Sequence, residues 1–210
     1  MVQYNLSHLT QDTGQIVKGP IQDDEALFLY SIIRTSRLNR ILEIGGLSGY
    51  SAKNFLEALK YNSDNSNILY TCDINPVPIL ASNHKVIIKN ALHLTPQDLD
   101  NLPIDMIFFD CHDFVQLQIY KHLVKKNIIT DNTILALHDT NLHYAPYDMQ
   151  GPYIEEDEGY AHQPVERSMT NTFKSLGYDI LNLHTDKTKH SPEFPFRHGI
   201  TVCKKFKYLN

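Results

Sequence analysis

The feature that most constrains the fold is the run from Arg40 to Ala52, which reads RILEIGGLSGYSA. It begins as an apolar strand, continues through a turn with glycines at 45, 46 and 49, and leads directly into a helical pattern. Glycines let a backbone adopt positive φ and approach a ligand closely. A strand, a glycine-rich turn and a helix N-terminus in this order form the unit with which an α/β sheet binds an adenosine-type cofactor.

The spacing of these glycines excludes two common phosphate-binding motifs. A dinucleotide fingerprint needs G-x-G-x-x-G, and glycines at 45, 46 and 49 do not give that register. A P-loop needs Lys and then Ser or Thr after its last glycine, whereas Gly49 is followed by Tyr50 and Ser51. Glu43, two residues before the first glycine, suits a ligand with a positive group, because a carboxylate pairs with an ammonium and repels a pyrophosphate.

The sequence from Glu43 to Ser51 resembles the first motif of class I S-adenosylmethionine-dependent methyltransferases. It is most similar to the E-[IL]-G-x-x-x-G-Y-S form of the catechol and caffeoyl-coenzyme A O-methyltransferases. The resemblance implies that Glu43 and the loop backbone bind the methionine end of S-adenosylmethionine. The alternative is a generic Rossmann-type turn that binds another ligand or none. The candidate cofactor residues in this motif are Glu43, Gly45, Gly46, Gly49 and Ser51.

Strand-like and helix-like patterns alternate along the chain, which predicts an α/β fold with a mostly parallel sheet and helices on both faces. A length of 210 residues with 42% apolar content fits one domain, 1–210, with an N-terminal helical segment over 1–39. The predicted strands are Arg40–Gly45, Ile68–Asp73, Lys85–Lys89, Ile104–Asp110, Thr133–His138, Tyr178–Leu183 and Gly199–Lys204. The predicted helices are Asp23–Ser36, Tyr50–Tyr61, Val77–Asn83, Phe114–Asn127 and Pro164–Leu176. Seven strands is the number that the resemblance implies for the Rossmann-like class I methyltransferase fold.

The stretch over 141–162 has no clear periodicity and is rich in Tyr, Pro, Gly and acidic residues. A loop of that length in a compact domain is usually functional, so we predict a substrate-side loop or lid there. Its tyrosines are amphipathic rings that suit either a sugar or aromatic acceptor or a dimer surface. They are Tyr144, Tyr147, Tyr153 and Tyr160.

Two further positions are candidates for cofactor binding. Asp73 ends the second predicted strand, where ribose hydroxyls arrive in such folds, and a carboxylate can accept both O–H groups. Asn90 and Ala91 follow the third strand, where the resemblance implies a contact with the adenine ring. An ordinary turn after the strand is the alternative for this pair.

Asp110 ends one very apolar predicted strand and Asp139 directly follows another, so their carboxylates are expected at the edge of a cleft. Two carboxylates converging there repel each other unless a cation lies between them, and an all-oxygen site favours Mg²⁺, Mn²⁺ or Ca²⁺. The resemblance to catechol-type enzymes implies that both aspartates bind a divalent metal, with Mg²⁺ the first choice, which orients the substrate hydroxyl. A helix cap or a cofactor contact is the alternative role for one of them.

The third metal ligand is less defined than the first two. The resemblance implies an asparagine directly after Asp139, but Thr140 occupies that position. Asn141 is therefore the candidate, with His138 and His112 as substitutes.

The catechol and caffeoyl-coenzyme A enzymes carry a lysine three residues after the first metal aspartate, where this chain has Asp113. The Asp-x-His-x-[YF] pattern over 110–114, followed by His138 and Asp139, resembles a bacterial branch that includes macrolide- and aminocoumarin-sugar O-methyltransferases and cephalosporin hydroxylase-like proteins. His112, two residues after Asp110, becomes the candidate general base. The unperturbed pKa of histidine, near 6.5, suits the removal of a proton from a hydroxyl that a metal polarises. His143 is the second candidate, and a local structural role is the alternative for His112.

We predict a metal-assisted O-methyltransferase that acts on a hydroxyl of a small molecule, either a sugar or a natural-product intermediate. The alternatives are a hydroxylase-like metalloenzyme on the same scaffold and a cofactor-binding module without catalysis.

A net charge of −5 without a basic tract argues against a nucleic-acid partner. No run approaches ~20 apolar residues, so no membrane span is predicted. A homodimer is left open.

The N-terminal sequence lacks a secretory pattern, which predicts a cytoplasmic protein. Three cysteines, Cys72, Cys111 and Cys203, lie in apolar runs without metal-type spacing. We therefore expect them to be reduced and buried, as is usual in that compartment.

Overall fold

A computed structural model describes residues 21, 23–62, 66–111, 115–140, 153–156, 159–162, 165–183 and 199–205. The helices are α1 (Asp23–Thr35), α2 (Tyr50–Lys60), α3 (Gln116–Lys125) and α4 (Val165–Ser175). The strands are β1 (Arg40–Ile44), β2 (Ile68–Asp73), β3 (His84–Ile88), β4 (Met106–Phe109), β5 (Ile134–Leu137), β6 (Tyr153–Glu156), β7 (Gly159–His162), β8 (Asp179–Leu183) and β9 (Ile200–Lys204). Two short 3₁₀ helices, Ala91–His93 and Pro96–Leu99, lie between β3 and β4.

Seven strands form the main sheet in the order β3-β2-β1-β4-β5-β9-β8. Strands β1 to β5 pair in parallel, whereas β9 runs antiparallel to both β5 and β8. The predicted α/β fold with a mostly parallel seven-stranded sheet is therefore confirmed. The strand order reverses between β1 and β4, and the carboxyl ends at such a reversal form the crevice in which open α/β sheets bind ligands.

Successive residues of each strand pack on opposite faces of the sheet, as the pleat requires. In β4, Phe108 packs in the layer with Phe55 of α2, and Phe109 packs in the layer with Leu123 of α3 and Phe173 of α4. All four residues of β4 are buried, which is expected of a parallel strand covered on both sides. The two layers hold β1 and β4 rigidly beside each other, and this fixes the edge at which the candidate site lies.

The predicted helix at Val77–Asn83 is wrong. Residues 76–80 have no regular secondary structure. Val77 precedes Pro78, and a residue before proline is biased away from the helical region towards extended backbone. The remaining predicted helices and strands of the main fold differ from the observed bounds by at most two residues at either end.

The stretch predicted as a loop over 141–162 contains a hairpin. Strand β6 pairs antiparallel with β7 in a separate two-stranded sheet. Aromatic and β-branched residues such as Tyr153, Ile154 and Tyr160 favour strands. Residues 141–152, with Tyr144, Tyr147 and His143, lie outside the described part of the chain, so a lid over the site stays a prediction.

Two of the three cysteines match the expectation of buried thiols. Cys72 and Cys203 are free and buried, and burial raises the pKa of each thiol to about 12. Cys111 is only half-buried. None of the helices in the described ranges combines the length and apolar character needed to cross a bilayer.

Candidate active site

A cavity of about 290 Å³ opens at the carboxyl ends of β1, β2 and β4. Its lining includes the glycine-rich turn on one side and Asp110, Val115 and Ile119 on another. Most of the residues predicted to bind the cofactor line this cavity, although their contacts with the cofactor stay predictions. Those that line the cavity are Gly45, Gly46, Ser51, Asp73, Asn90 and Ala91.

The glycine-rich turn packs tightly against its neighbours. Gly45 has a φ of 93°, and a Cβ there would lie 2.7 Å from the carbonyl carbon of Asp110. A Cβ on Gly46 would lie 2.9 Å from Cγ2 of Val77. Only glycine fits at these two positions, because the contacted atoms include backbone and a branched side chain. Gly49, with a φ of 77°, caps the N-terminus of α2.

Asp73 fixes the shape of the turn. Its Oδ2 accepts a hydrogen bond from the Gly46 amide at 2.8 Å, and its Oδ1 accepts one from the Asn75 amide at 2.8 Å. Oδ2 also accepts a hydrogen bond from the Leu47 amide at 3.3 Å, whereas Oδ1 can accept a second one. Asp73 can therefore hold the turn in place and still offer Oδ1 to the ribose hydroxyls in the cavity.

Glu43 lies behind the wall of the cavity. Its side chain is fully buried, and it accepts hydrogen bonds from Ser51 Oγ and, at 2.7 Å, from Thr71 Oγ1. Burial raises the pKa of Glu43 to about 7, although the two hydrogen bonds oppose that rise. Ser51 lines the cavity and Glu43 does not. The predicted contact between Glu43 and the methionine end of the cofactor stays a prediction.

A further hydrogen-bonded residue, His84, supports Glu43 from β3. Its Nε2 lies 2.9 Å from Thr71 Oγ1, and its Nδ1 accepts from the Leu80 amide at 3.2 Å. Since Thr71 donates its hydroxyl proton to Glu43, His84 must carry its proton on Nε2. Burial lowers the pKa of His84, which agrees with a neutral ring.

Asn90 and Ala91 reach the cavity from the strand-to-helix turn after β3. Asn90 Oδ1 accepts a hydrogen bond from the Leu92 amide at 2.9 Å and so caps the first 3₁₀ helix. Both residues line the cavity, and the cap holds them in place there.

Asp110, His138 and Asp139 form a buried cluster where β4 and β5 end. His138 Nδ1 lies 3.0 Å from Asp110 Oδ1 and 3.4 Å from Asp139 Oδ1. One possible ligand atom from each of the three residues lies within 4.8 Å of the others. The structure thus brings together the two aspartates predicted as metal ligands and His138, one of the substitutes named for the third ligand. His112 and Asn141 lie outside the described residues, so their predicted roles stay predictions.

Charge dominates this cluster. Burial opposes a charged imidazole at His138, but the nearby charges of Asp139 and Asp110 outweigh it and raise the pKa of His138 well above its usual range. A positive charge between two buried carboxylates relieves their mutual repulsion. The cluster is therefore built to accommodate positive charge, whether a proton or a metal cation.

Sequence reasoning missed Glu25, which joins the cluster from α1. Glu25 is 1% exposed, its Oε2 lies 3.4 Å from His138 Nε2, and its Oε1 accepts from the Gly199 amide at 2.8 Å. One signal was available in the sequence. Glu25 lies four residues before Leu29 and eight before Ile33, so it occupies the buried stripe of an amphipathic helix.

Known proteins similar in sequence include an O-methyltransferase. No family model matches the chain. The chain is 29% identical over 170 residues to the O-methyltransferase ankF of Aspergillus thermomutatus, and the match covers 70% of this chain and 69% of that protein.

Solved structures with the same fold include methyltransferases bound to the cofactor or its product. The methyltransferase PaMTH1 of Podospora anserina, bound to S-adenosylhomocysteine, has a TM-score of 0.59 and 17% identity over 96% of this chain and 87% of that one. The O-methyltransferase TomG of Streptomyces achromogenes, bound to S-adenosylmethionine, has a TM-score of 0.58 and 16% identity over 99% and 92%. These likenesses confirm the predicted fold, and together with ankF they confirm the resemblance to S-adenosylmethionine-dependent O-methyltransferases.

Proposed function

We propose that this chain, an S-adenosylmethionine-dependent O-methyltransferase by fold and sequence similarity, methylates a hydroxyl of a sugar or natural-product intermediate with the help of a divalent cation. One observation carries this proposal. Asp110 lines the cavity and also belongs to the buried cluster with His138 and Asp139. A cofactor in the cavity and a hydroxyl oriented at the cluster would therefore lie next to each other.

The cavity residues suit the cofactor. When bound, S-adenosylmethionine supplies a sulfonium-activated methyl group and leaves as S-adenosylhomocysteine. Asp73 accepts the ribose hydroxyls, Asn90 and Ala91 face the adenine, and the turn at 45–46 allows the close approach of the backbone. Ser51, held by Glu43, contributes a polar group at the end of the cavity nearest α2.

The cluster suits a divalent cation. Two buried carboxylates and one imidazole are common ligands of divalent metals, and their atoms are already close enough to share one ion. A bound cation lowers the pKa of a coordinated hydroxyl and fixes its position. Asp110 and Asp139 would hold it from two adjacent strands, with Asn141 as a further ligand. His112, two residues after Asp110, accepts the proton that the hydroxyl loses.

The overall charge of the chain agrees with a small-molecule acceptor. The net charge of −5 gives no electrostatic support for a nucleic-acid partner. A cytoplasmic location is a further expectation of this proposal, which leaves a homodimer open.

A calorimetric titration with S-adenosylhomocysteine, with and without Mg²⁺, tests the proposal. We expect the wild type to bind the product and to respond to Mg²⁺, and we expect Asp110→Asn and Asp139→Asn to lose the response to Mg²⁺. Asp131→Asn is the matched control, because Asp131 is an exposed carboxylate beside Lys205 and remote from the cavity.

Three outcomes would contradict the proposal at different levels. Absence of any product binding would overturn the cofactor assignment. Methyl transfer to a panel of sugars and phenols that ignores EDTA would overturn only the cation. Iron in the purified protein without methyl transfer would favour the hydroxylase-like alternative.

A further inference from the structure

We propose that Glu25 is a positioning residue that presents His138 Nδ1 as the nitrogen ligand of the cation site, so that the site prefers Mn²⁺ to Mg²⁺. This inference rests on the cation in the proposed function. Neither residue belongs to the first cofactor motif, and Glu25 comes from a helix that precedes the whole sheet.

The two ring nitrogens of His138 face different partners. Nδ1 lies 3.0 Å from Asp110 and 3.4 Å from Asp139, on the side of the candidate cation site. Nε2 lies 3.4 Å from Glu25 on the opposite side. His138 is 1% exposed, so the packed surroundings hold the ring in this orientation.

Glu25 is itself fixed. It is 1% exposed, and the backbone amide of Gly199 donates to its Oε1 at 2.8 Å, which leaves Oε2 towards His138. Burying a carboxylate is costly unless hydrogen bonds and opposite charge compensate it. The anchor at Gly199 and the imidazole of His138 provide that compensation, and they give Glu25 one defined position.

This arrangement selects the tautomer of a metal-binding histidine. A histidine ligates a cation as a neutral imidazole through one nitrogen, and its other nitrogen carries the proton. A carboxylate only accepts hydrogen bonds, so in this structure both ring nitrogens carry a proton: Nδ1 donates to Asp110 at 3.0 Å, and Nε2 faces Glu25. A cation between the two aspartates would displace the Nδ1 proton to solvent, while Glu25 keeps the proton on Nε2. Carboxylate–histidine–metal pairs of this kind orient the ligand and raise its basicity.

A nitrogen ligand changes which metal the site binds more tightly. Mg²⁺ is a hard ion that prefers oxygen ligands, whereas imidazole suits transition metals. The sequence motif alone favours an all-oxygen site with Mg²⁺. With His138 in place of one oxygen, the site should bind Mn²⁺ more tightly than Mg²⁺.

Metal titrations by calorimetry on the full chain test this inference, with Mn²⁺ and Mg²⁺ as probes. We expect Glu25→Gln to weaken Mn²⁺ binding about 10- to 100-fold and to change Mg²⁺ binding little. Glutamine replaces one carboxylate oxygen with an NH₂ group, which cannot accept a hydrogen bond, so either the contact with the Gly199 amide or the one with His138 is lost. Glu57→Gln on α2, the same change on a partly exposed surface glutamate, is the control and should bind both metals as the wild type does.

The double variant separates positioning from general structure. In a His138→Asn background, Glu25→Gln should cause no further loss of Mn²⁺ affinity, because its effect passes through the imidazole. A long-range ¹H–¹⁵N spectrum of the Zn²⁺-loaded wild type provides a test that needs no variant. We expect the proton of His138 on Nε2.

The outcomes distinguish this inference from the proposed function. If Asp110→Asn and Asp139→Asn lose Mn²⁺ while Glu25→Gln keeps it, the cation site stands and the role of Glu25 is wrong. A proton on Nδ1 in the loaded protein, or equal losses from Glu25→Gln with and without His138, would also overturn it. If the wild type binds S-adenosylhomocysteine but neither metal, the cation fails together with this inference and the cofactor assignment stands.

Discussion

At the scale of single residues, Glu43 is where burial most clearly changes the chemistry. Its pKa rises from 4.5 to about 7, chiefly through burial. Between these values the folded protein binds more protons than the unfolded chain, so the free energy of unfolding falls as the pH rises from about 4.5 to 7. The full contribution is about 3 kcal/mol. Glu43→Gln removes the titrating group. We therefore expect the free energy of unfolding of the variant, relative to that of the wild type, to rise between pH 5 and pH 8.

Urea unfolding of both proteins at several pH values measures this difference. Contributions from other titrating groups cancel when the two profiles are subtracted. Glu57→Gln serves as the control, since Glu57 lies partly exposed on α2. Parallel profiles for the wild type and Glu43→Gln would show that the carboxyl is not held in its neutral form.

The sequence revealed some site residues and concealed others for a physical reason. Asp73, Asp110 and Asp139 could be predicted because each lies at the carboxyl end of a strand, and the ends of parallel strands meet at one edge of the sheet. Glu25 could not, because its partners lie far along the chain, with the Gly199 amide 174 residues away. A buried glutamate signals that a partner exists, but only the fold says which residue it is.

At the scale of elements, the turn after β1 depends on the close approach of β4. We expect Gly45→Ala to lower the free energy of unfolding by about 3 kcal/mol or more, because the new methyl group meets the backbone of Asp110 and the φ is positive. It should also lose product binding. Gly177→Ala is the matched control, since Gly177 has a φ of 79° but open space around it. It should cost only about 1 kcal/mol.

Denaturant unfolding and calorimetry with S-adenosylhomocysteine measure the two effects of Gly45→Ala. If Gly45→Ala and Gly177→Ala lower the free energy of unfolding equally, backbone strain alone matters and the contact with Asp110 can relax. Unchanged product binding in Gly45→Ala would place the cofactor away from this turn.

The elements that sequence patterns predicted well are those that hydrophobic burial determines. Strands β4 and β5 are apolar throughout because both faces are covered, and their predicted bounds were close to those observed. The helix predicted at Val77–Asn83 does not form. The apolar pattern favoured a helix, but the prolines at 76 and 78 disfavour helical backbone there. This segment has no regular secondary structure and packs Val77 and Leu80 against the glycine-rich turn instead.

At the scale of the whole molecule, the site exists only because distant segments meet. Strands β1 and β4 are neighbours in the sheet, although β2 and β3 lie between them in sequence. Local patterns cannot determine that order. Helix α1 then reaches the end of β5 through Glu25 and His138. Binding at this edge should therefore stabilise the whole fold.

Stabilisation by ligand tests that expectation and the identity of the cofactor together. A ligand that binds only the folded protein adds about 2.7 kcal/mol at a concentration 100 times its Kd. For a chain of 210 residues this corresponds to a rise in Tm of about 5 to 10 °C.

We expect S-adenosylhomocysteine to give this rise in the wild type and in the Asp131→Asn control. NAD and ATP should give none, because the spacing of the glycines matches neither phosphate motif. A comparable rise with NAD would mean that the turn binds adenine nucleotides generally, and absence of any shift with S-adenosylhomocysteine would contradict the cofactor assignment.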